Sequence, residues 1–282
     1  MDMQGTAAGV AVSAAGFGLK GPRGWAFRGV GLEAEPGSLI AVEGPSGSGR
    51  TCLLLALTGR MRPSEGRAAV GGHRLPKEMS AVRRISALAH VPGVTDLDPA
   101  LTVGEHLREH ALLESRFGDS LRALLRPRSM GVPPARAKSR AWGGRAAETA
   151  RRIDTALAAA GLDPEQLPKG RRTAVRDLER LEALRLSVAL ALIGRPRLLA
   201  VDDVDLKLSP AERAEAWGLL RSLTEDGTTV LAVCAEAPED AVVVSTAPGA
   251  RHAREETTPD EPTEDGDDDK ETADALAETG RA

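Results

Sequence analysis

Residues 41–57, AVEGPSGSGRTCLLLAL, contain the clearest structural signal in this chain. A short Gly/Ser-rich turn separates an apolar run that predicts a buried strand from a second apolar run that predicts a helix. Such a turn directs backbone N–H groups and the N-terminus of the helix toward an anion. Gly44, Gly47 and Gly49 allow the tight path and a close approach to a ligand. A Gly/Ser turn without a ligand is the alternative, but the flanking elements favour a phosphate-binding loop.

The spacing of Gly44 and Gly49, followed by Thr51, is that of a P-loop, and the Thr51 hydroxyl is a candidate ligand for Mg²⁺. Arg50 occupies the position where lysine is expected. Its guanidinium keeps the positive charge but is wide and planar, so we expect phosphate binding to persist and the fine placement of charge at the β and γ oxygens to suffer. The predicted nucleotide contacts are Gly44, Pro45, Ser46, Gly47, Ser48, Gly49, Arg50, Thr51 and Cys52.

Charge is distributed unevenly along the 282 residues. Twelve of the 41 acidic residues and only three of the 37 basic residues fall in 254–282, which leaves residues 1–253 with 29 acidic and 34 basic residues. The end of the chain has few apolar residues and much like charge, which predicts a disordered acidic tail over 254–282. A solubility tail and an electrostatic contact with the chain's own basic segment are both open.

The remaining composition limits the class of protein. Cys52 and Cys234 each lie in an apolar run, which indicates buried thiols in a reducing compartment rather than a disulfide or a metal site. The opening residues do not have the basic and apolar regions of a signal peptide. No segment approaches the roughly 18 apolar residues that span a bilayer. We therefore expect a soluble cytoplasmic protein that can still dock on a membrane protein.

The order of the predicted elements indicates an α/β fold. Short strand patterns occupy 8–43, a hairpin is predicted around Gly71 and Gly72, and strands then alternate with helices, which favours a largely parallel sheet. Residues 100–190 contain no strand signal and predict a helical subdomain. Within it, residues 122–152 carry nine basic residues and one acidic residue, and predict a loop or a partly helical basic insertion.

At this point the chain resembles the nucleotide-binding domain of ATP-binding cassette (ABC) proteins. The resemblance covers residues 8 to about 248 and rests on the order and spacing of GPSGSGRT, LLLALTGRMRPSEGRAAVGGHRL, LTVGEHL and ALIGRPRLLAVDD. It implies a P-loop NTPase-type, mostly parallel sheet with an antiparallel N-terminal β-subdomain and an inserted helical subdomain, together forming one domain over 1–253. It also implies ATP and Mg²⁺ as ligands, a separate membrane permease as partner and a dimer of cassettes.

The resemblance assigns roles to three further residues. Asp202 ends the apolar strand 198–201 and corresponds to the aspartate that orders Mg²⁺, together with Thr51. Asp203 falls where the family carries the glutamate that polarises the attacking water, and its side chain is one methylene shorter. His90 falls at the Q-loop glutamine position. A contact to water or metal and a purely structural role are both open for this histidine.

Elsewhere the chain departs from the family pattern. The segment LERLE, 178–182, stands where the family carries Leu-Ser-Gly-Gly-Gln, so that no glycine remains and Glu179 and Glu182 bring negative charge toward a polyphosphate. An ordinary amphipathic helix explains the same letters. Ala235 occupies the switch-histidine position, and Ser209, which is also a helix N-cap, the D-loop aspartate position. Phe17 or Trp25 is a candidate for adenine stacking, and core packing explains either equally well.

Three functions follow from these patterns. The first is an ATP-binding subunit that docks on a separate permease at the inner face of the plasma membrane, with weak or absent hydrolysis, because several groups around the γ-phosphate are replaced. The second is a regulatory or scaffolding pseudo-ATPase that pairs with a competent cassette. The third is nucleic-acid binding through the basic insertion, which its single tryptophan and the acidic tail disfavour.

Overall fold

The computed structural model describes residues 9–124 and 135–247, and for 115–124 and 135–146 it describes the backbone alone. The predicted acidic tail and part of the basic insertion lie outside the described residues. The strands are β1 (Val12–Gly21), β2 (Gly24–Ala34), β3 (Leu39–Glu43), β4 (Glu65–Val70), β5 (His73–Leu75), β6 (Ser86–Leu88), β7 (Leu198–Val201), β8 (Thr229–Val233) and β9 (Val242–Ser245). The helices are α1 (Arg50–Leu57), α2 (Met79–Ile85), α3 (Val103–Leu124), α4 (Ala135–Ala159), α5 (Arg180–Leu192) and α6 (Pro210–Glu225), and short 3₁₀ turns occupy Pro164–Gln166, Gly170–Arg172 and Val175–Asp177.

The strands form two sheets of different kinds. One is antiparallel with the order β2-β1-β4-β5, and the predicted hairpin joins its last two strands through Gly71 and Gly72. The other is parallel with the order β6-β7-β8-β3-β9. The parallel sheet and the N-terminal antiparallel sheet agree with the sequence prediction.

Helices cover both faces of the parallel sheet, so its central strands are buried throughout. Successive strand residues point to opposite faces and divide the interior into two cores. On one face, Ile40 and Val42 pack with Leu53 and Leu54 of α1 and with the antiparallel sheet. On the other, Leu39 and the neighbouring strands pack with the helices α3 to α6. The glycine-rich loop lies between these two cores at the end of β3.

Within the described part of 100–190, the ordered elements are α3, α4, α5 and the 3₁₀ turns, joined by one isolated bridge between Thr102 and Ala174. α3 packs on α4 and α5, and α4 packs on α5. The basic insertion is helical at 122–124 and 135–152. These helices form the region for which the sequence predicts a helical subdomain, and its boundaries stay a prediction.

Local sequence signals define several helix ends. Thr102 and Glu105 have the sequence spacing of a capping box. In the structure the Thr102 hydroxyl accepts a hydrogen bond from the Glu105 N–H at 3.3 Å, and the Glu105 carboxylate accepts from the Thr102 N–H at 2.8 Å, as that motif requires. Ser209 and Glu212 form the same arrangement at the start of α6. The sequence RISALAHV predicts a strand over 84–91. The strand is shorter in the structure, since α2 extends to Ile85 and leaves only β6 in the sheet.

The antiparallel sheet meets the glycine-rich loop at β2. Gly49 has a φ of +84°, and a Cβ added there would lie 2.1 Å from the Ala26 carbonyl oxygen. Gly47 has nearly the same φ, +81°, but a Cβ at this position would have no neighbour within 4 Å. A substitution at Gly47 therefore introduces backbone strain alone, whereas a substitution at Gly49 introduces backbone strain and a steric clash with β2.

We expect Gly49→Ala to lower the free energy of unfolding well beyond Gly47→Ala. Both substitutions place an L-residue in the left-handed region, at about 1–2 kcal/mol each, and only Gly49→Ala also displaces β2. Urea unfolding of the two variants measures the difference, and equal losses would contradict the close contact with Ala26.

Candidate nucleotide site

The candidate site lies at the carboxyl edge of the parallel sheet, where neighbouring strands present their ends to one side. β3 leads into the glycine-rich loop, and α1 begins immediately after it at Arg50. Asp202 follows β7 and Cys234 follows β8, while Thr246 follows β9. Cys234 and Thr246 therefore approach the loop from the two strands that neighbour β3, and Asp202 approaches from β7, one strand further along.

The loop itself is fixed by short polar contacts. The hydroxyls of Ser48 and Thr246 are 2.6 Å apart, and the Thr246 hydroxyl donates to the Glu43 carbonyl at 3.2 Å. A Cβ at Gly44 would lie 2.5 Å from the Thr246 hydroxyl, so this glycine is required by close packing as well as by its φ of +150°. Thr246 was not predicted from the sequence, because its position beside the loop depends on the strand order.

Arg50 points across the edge of the sheet toward β8. Its Nη1 donates a hydrogen bond to the Cys234 carbonyl oxygen at 2.6 Å, one residue before Ala235. Cys234 is buried, and burial, followed by the charges of Asp205 and Glu43, raises the pKa of its thiol to about 12. The thiol is therefore neutral, and the main-chain carbonyl is the group that Arg50 binds. The remaining donors of the guanidinium stay available for an anion.

Thr51 and Asp202 form the centre of the candidate metal site. The Thr51 hydroxyl donates to Asp202 Oδ2 at 2.7 Å, and Asp202 is only 1% exposed. Burial raises the pKa of this carboxyl, opposed by the Thr51 hydrogen bond. A divalent cation would stabilise the ionised carboxylate, and hydroxyl and carboxylate oxygens are ligands that suit Mg²⁺. The pair therefore fits the predicted metal role.

The described residues contain no group of three or more His, Cys, Asp or Glu side chains able to hold a metal ion by themselves. One hydroxyl and one carboxylate suffice for Mg²⁺ when substrate phosphates and water complete its coordination. The two observations are consistent with a metal that arrives with its nucleotide.

Asp203 directly follows Asp202, the candidate metal ligand. Its backbone has a φ of +47°, in the left-handed region that aspartate tolerates better than most residues, and its N–H donates to Asp202 Oδ1 at 3.0 Å. The carboxyl group is half-buried. The structure thus places Asp203, the predicted base, beside Asp202, the predicted metal ligand. The chain leaves the extended conformation of β7 at this point and turns.

His90 lies next to the same carboxylates, after the end of β6. Its carbonyl accepts a hydrogen bond from the Asp202 N–H at 2.7 Å, and its Nε2 accepts one from Arg180 Nη2 at 3.2 Å. Because arginine can only donate, this contact requires an unprotonated Nε2. Burial, and then the charge of Arg180, lowers the pKa of the imidazole, while Asp96 and Asp203 oppose the shift.

The segment 178–182 contains the start of α5, which agrees with the ordinary helix that the sequence also predicts. Glu179 is the N-cap of α5 and forms a capping box with Glu182, whose carboxylate accepts from the Glu179 N–H at 2.9 Å. The two carboxylates therefore bind the N-terminus of their own helix. The side chain of this segment that contacts the sheet edge is the cation, Arg180. The spacing of two glutamates three residues apart was the available signal for this capping.

One further group near the site, Asp205, was not predicted, whereas Cys52 is among the predicted nucleotide contacts. Asp205, which is buried, accepts a hydrogen bond from the Ala235 N–H at 2.8 Å and so joins the loop after β7 to the end of β8. Cys52, predicted to be buried, is half-buried, and its thiol pKa is raised by burial and then by Asp202. Ser209 caps α6, as its sequence context predicts.

The two aromatic candidates differ in exposure. Phe17 is fully buried and packs on Phe27 with ring centroids 5.8 Å apart, which is core packing. Trp25 is 40% exposed and lies one residue before Ala26, which contacts the loop. Its ring is approached by Lys20 Nζ at 5.8 Å and Arg28 Cζ at 4.6 Å from the ring centroid. Of the two, Trp25 alone has an accessible ring.

The fold and the loop together define a P-loop α/β protein. Comparison with known proteins gives the family: the sequence profile of the ABC transporter family matches residues 27–205. The chain belongs to this family. Its structure is similar to that of CbiO1 from Clostridium perfringens, with a TM-score of 0.59 and 18% identity over 80% of this chain and 78% of that one. It is also similar to the dimeric bacterial ABC transporter cassette MJ0796, with a TM-score of 0.57, 20% identity, and 80% and 88% of the two chains covered. These likenesses confirm the predicted fold class.

Two curated relatives are similar in sequence. The daunorubicin resistance ATP-binding protein DrrA3 of Streptomyces coeruleorubidus is 33% identical over 73% of this chain and 54% of its own length. The Nod factor export ATP-binding protein I of Cupriavidus metallidurans is 30% identical over 71% of this chain and 54% of its own length. The match thus spans about half the length of these relatives. In the described part of the chain, no helix is long and apolar enough to cross a membrane.

We expect the imidazole of His90 to stay neutral to lower pH than an ordinary histidine, because burial and the charge of Arg180 lower its pKa. Arg180→Gln removes the second-largest cause of this shift and should move the pKa back toward its ordinary value. An NMR titration of the histidine ring signals in both proteins measures the change, with Arg176→Gln as the control on an exposed neighbouring arginine. An identical titration in wild type and Arg180→Gln would contradict the contact.

Proposed function

We propose that this chain is the ATP-binding subunit of an ABC-type transport system, that it binds MgATP in loop 44–51, and that it docks on a separate integral membrane permease. The observation that carries the proposal is the 2.7 Å contact between Thr51, at the start of α1, and Asp202, at the end of β7. It joins a phosphate loop to a metal carboxylate in a chain of this family. The relatives named for resistance and export, and a MJ0796 structure with bound ADP and phosphate, support the same function.

In this proposal the residues of the loop and of the neighbouring strand ends have different roles toward MgATP. Backbone N–H groups of 44–49 and the N-terminus of α1 bind the phosphates, and Arg50 adds a positive charge. Thr51 and Asp202 hold the Mg²⁺, which neutralises phosphate charge when bound. Asp203 is the candidate base and His90 the candidate contact to the attacking water. In this proposal, bound MgATP supplies the ligand for all of these groups of the chain.

We further propose that intrinsic hydrolysis is weak. Arg50 is engaged by the Cys234 carbonyl, Asp203 has a shorter reach than glutamate, and Ala235 offers no side chain to the γ-phosphate. Each such group in a working site contributes on the order of 10² or more in rate. Losing several together leaves nucleotide binding largely intact, because binding depends mainly on backbone N–H groups, charge and Mg²⁺.

A second candidate function is a regulatory subunit that pairs with a competent cassette. In a homodimer, both nucleotide sites would face the same segment 178–182, which lacks the glycines of the family's signature. The observation that favours it is the capping box of Glu179 and Glu182, which occupies the N-terminus of α5 with the chain's own carboxylates. A heterodimer partner with an intact signature would complete the site around Arg50. In either case the proposed location is cytoplasmic, at the inner face of the plasma membrane.

We expect the wild-type chain to release phosphate from MgATP close to the uncatalysed background, and the variant Arg50→Lys/Asp203→Glu/Ala235→His to do so at least about tenfold faster. The three substitutions restore the family's side chains at one site. Steady-state phosphate release measures the rates, with Arg62→Lys, an exposed arginine, as the matched control. Robust wild-type turnover that is abolished by Asp203→Ala would refute the proposal of weak hydrolysis.

Asp202→Asn should weaken Mg²⁺-dependent binding selectively. The amide keeps the shape of the carboxylate but not its charge, so we expect the affinity for MgATP to fall about tenfold or more, while ATP in EDTA binds wild type and variant alike. Equilibrium binding in both buffers separates the two effects. Asp226→Asn, at an exposed position at the end of α6, is the control. An equal loss in both buffers would argue against a metal role for Asp202.

A further inference from the structure

A cavity of about 250 Å³ lies between the segment 88–97 and the helices α3 and α5, and none of the proposed nucleotide contacts lines it. Two of its lining residues are His106 and His110 of α3, which are four residues apart. Residues at this spacing lie one turn apart on the same face of a helix, with about 5–6 Å between their Cβ atoms. One wall of the cavity therefore carries two neighbouring imidazole rings.

The ring of His110 is in the form that a transition metal requires. Burial, and then the charge of His106, lowers the pKa of its imidazole, while Glu109 opposes the shift. Within the described part of the chain, no hydrogen bond is formed by either ring nitrogen of this half-buried residue. A metal ion binds the neutral imidazole, so His110 is a candidate ligand whose nitrogens have no other partner.

The ring of His106 is held by a contact from outside its helix. His106 is only 7% exposed, and its Nε2 lies 3.3 Å from the carbonyl oxygen of Asp98. A carbonyl can only accept a hydrogen bond, so Nε2 carries the hydrogen and Nδ1 of the neutral ring keeps its lone pair. Histidines that bind metals commonly donate their second N–H to a carbonyl, which fixes the ring and its tautomer.

The facing wall of the cavity favours a cation. Asp96 lines the same cavity, and its Oδ2 accepts a hydrogen bond from the Gly93 N–H at 2.9 Å, which fixes the carboxylate on its own loop. Imidazole nitrogens suit Zn²⁺ and similar transition metals, whereas Mg²⁺ prefers oxygen ligands. The side chains of the cavity therefore select a different ion from the one proposed at Thr51 and Asp202.

We propose that His106 and His110 form a binding site for Zn²⁺ or a similar divalent transition-metal ion in this cavity. The two imidazoles supply two ligands and Asp96 supplies nearby negative charge. Water completes the coordination, since the described residues contain no group of three or more such side chains able to hold a metal. The site goes beyond the proposed function and does not depend on the binding of MgATP.

The test is the affinity of the full chain for Zn²⁺, measured by isothermal titration without nucleotide and in excess Mg²⁺, which occupies oxygen sites. His106→Gln and His110→Gln should each weaken Zn²⁺ binding at least about tenfold, because loss of a group that only supports a ligand already costs about 10- to 100-fold. The matched control is His73→Gln, which removes a histidine beside Glu78 on the antiparallel sheet and should bind as wild type.

Thermal unfolding provides a second measurement that also shows whether the variants fold. Zn²⁺ should raise the Tm of the wild type and of His73→Gln, because a ligand that binds the folded chain alone stabilises it. The same addition should leave the Tm of His106→Gln and His110→Gln nearly unchanged. A cooperative transition of these two variants without Zn²⁺ shows that they are folded.

Three results would overturn the inference. The first is a wild-type chain that does not bind Zn²⁺, and the second is wild-type affinity in both cavity variants. The third is a loss in Asp202→Asn while the cavity variants bind normally, which would place the ion at the nucleotide site. Failure of the wild type to bind MgATP would refute the proposed function and leave this inference standing.

Discussion

The parallel pairing of β3 with β8 and β9, and of β8 with β7, is the constraint on which the site depends. Val42 pairs with Val233 on one side and with Val244 on the other, and Val201 pairs with Ala232. In this register the strands end at nearly the same level. The hydrogen bonds from Arg50 to Cys234 and from Thr51 to Asp202 can form only because of that alignment. A shift of one residue would also turn the alternating apolar side chains to the wrong core.

Electrostatics then determines what the aligned edge can bind. Asp202 is buried and has no arginine or lysine in a direct ion pair among the described residues, whereas Arg50 and Arg180 lie at the same edge with neutral partners, a carbonyl and an imidazole. A buried carboxylate favours a cation, and two cations held by neutral acceptors favour an anion. A magnesium–polyphosphate complex supplies both charges together, and this complementarity supports the proposed nucleotide site.

Local chemistry could be predicted from the sequence where neighbouring residues define it. The glycine-rich loop, the capping boxes at Thr102 and Ser209, and the strand ending at Asp202 depend on contacts within a few residues. Thr246 and Asp205 could not be predicted, since their partners are about 200 and 30 residues away and are set by strand order. The first residues of the strand predicted over 84–91 were assigned wrongly, because Ile85 belongs to α2. The sequence left two interpretations of LERLE open, and the choice between them required knowledge of which side chains cap α5.

A crystal structure of the chain grown with Mg²⁺ and a non-hydrolysable ATP analogue would test the proposed nucleotide site. We expect the phosphates in loop 44–51 and Mg²⁺ between the nucleotide and the Thr51 and Asp202 side chains, either directly or through water. A loop that stays empty at saturating nucleotide, or a nucleotide bound elsewhere on the chain, would contradict the claim that this edge of the sheet is a nucleotide site.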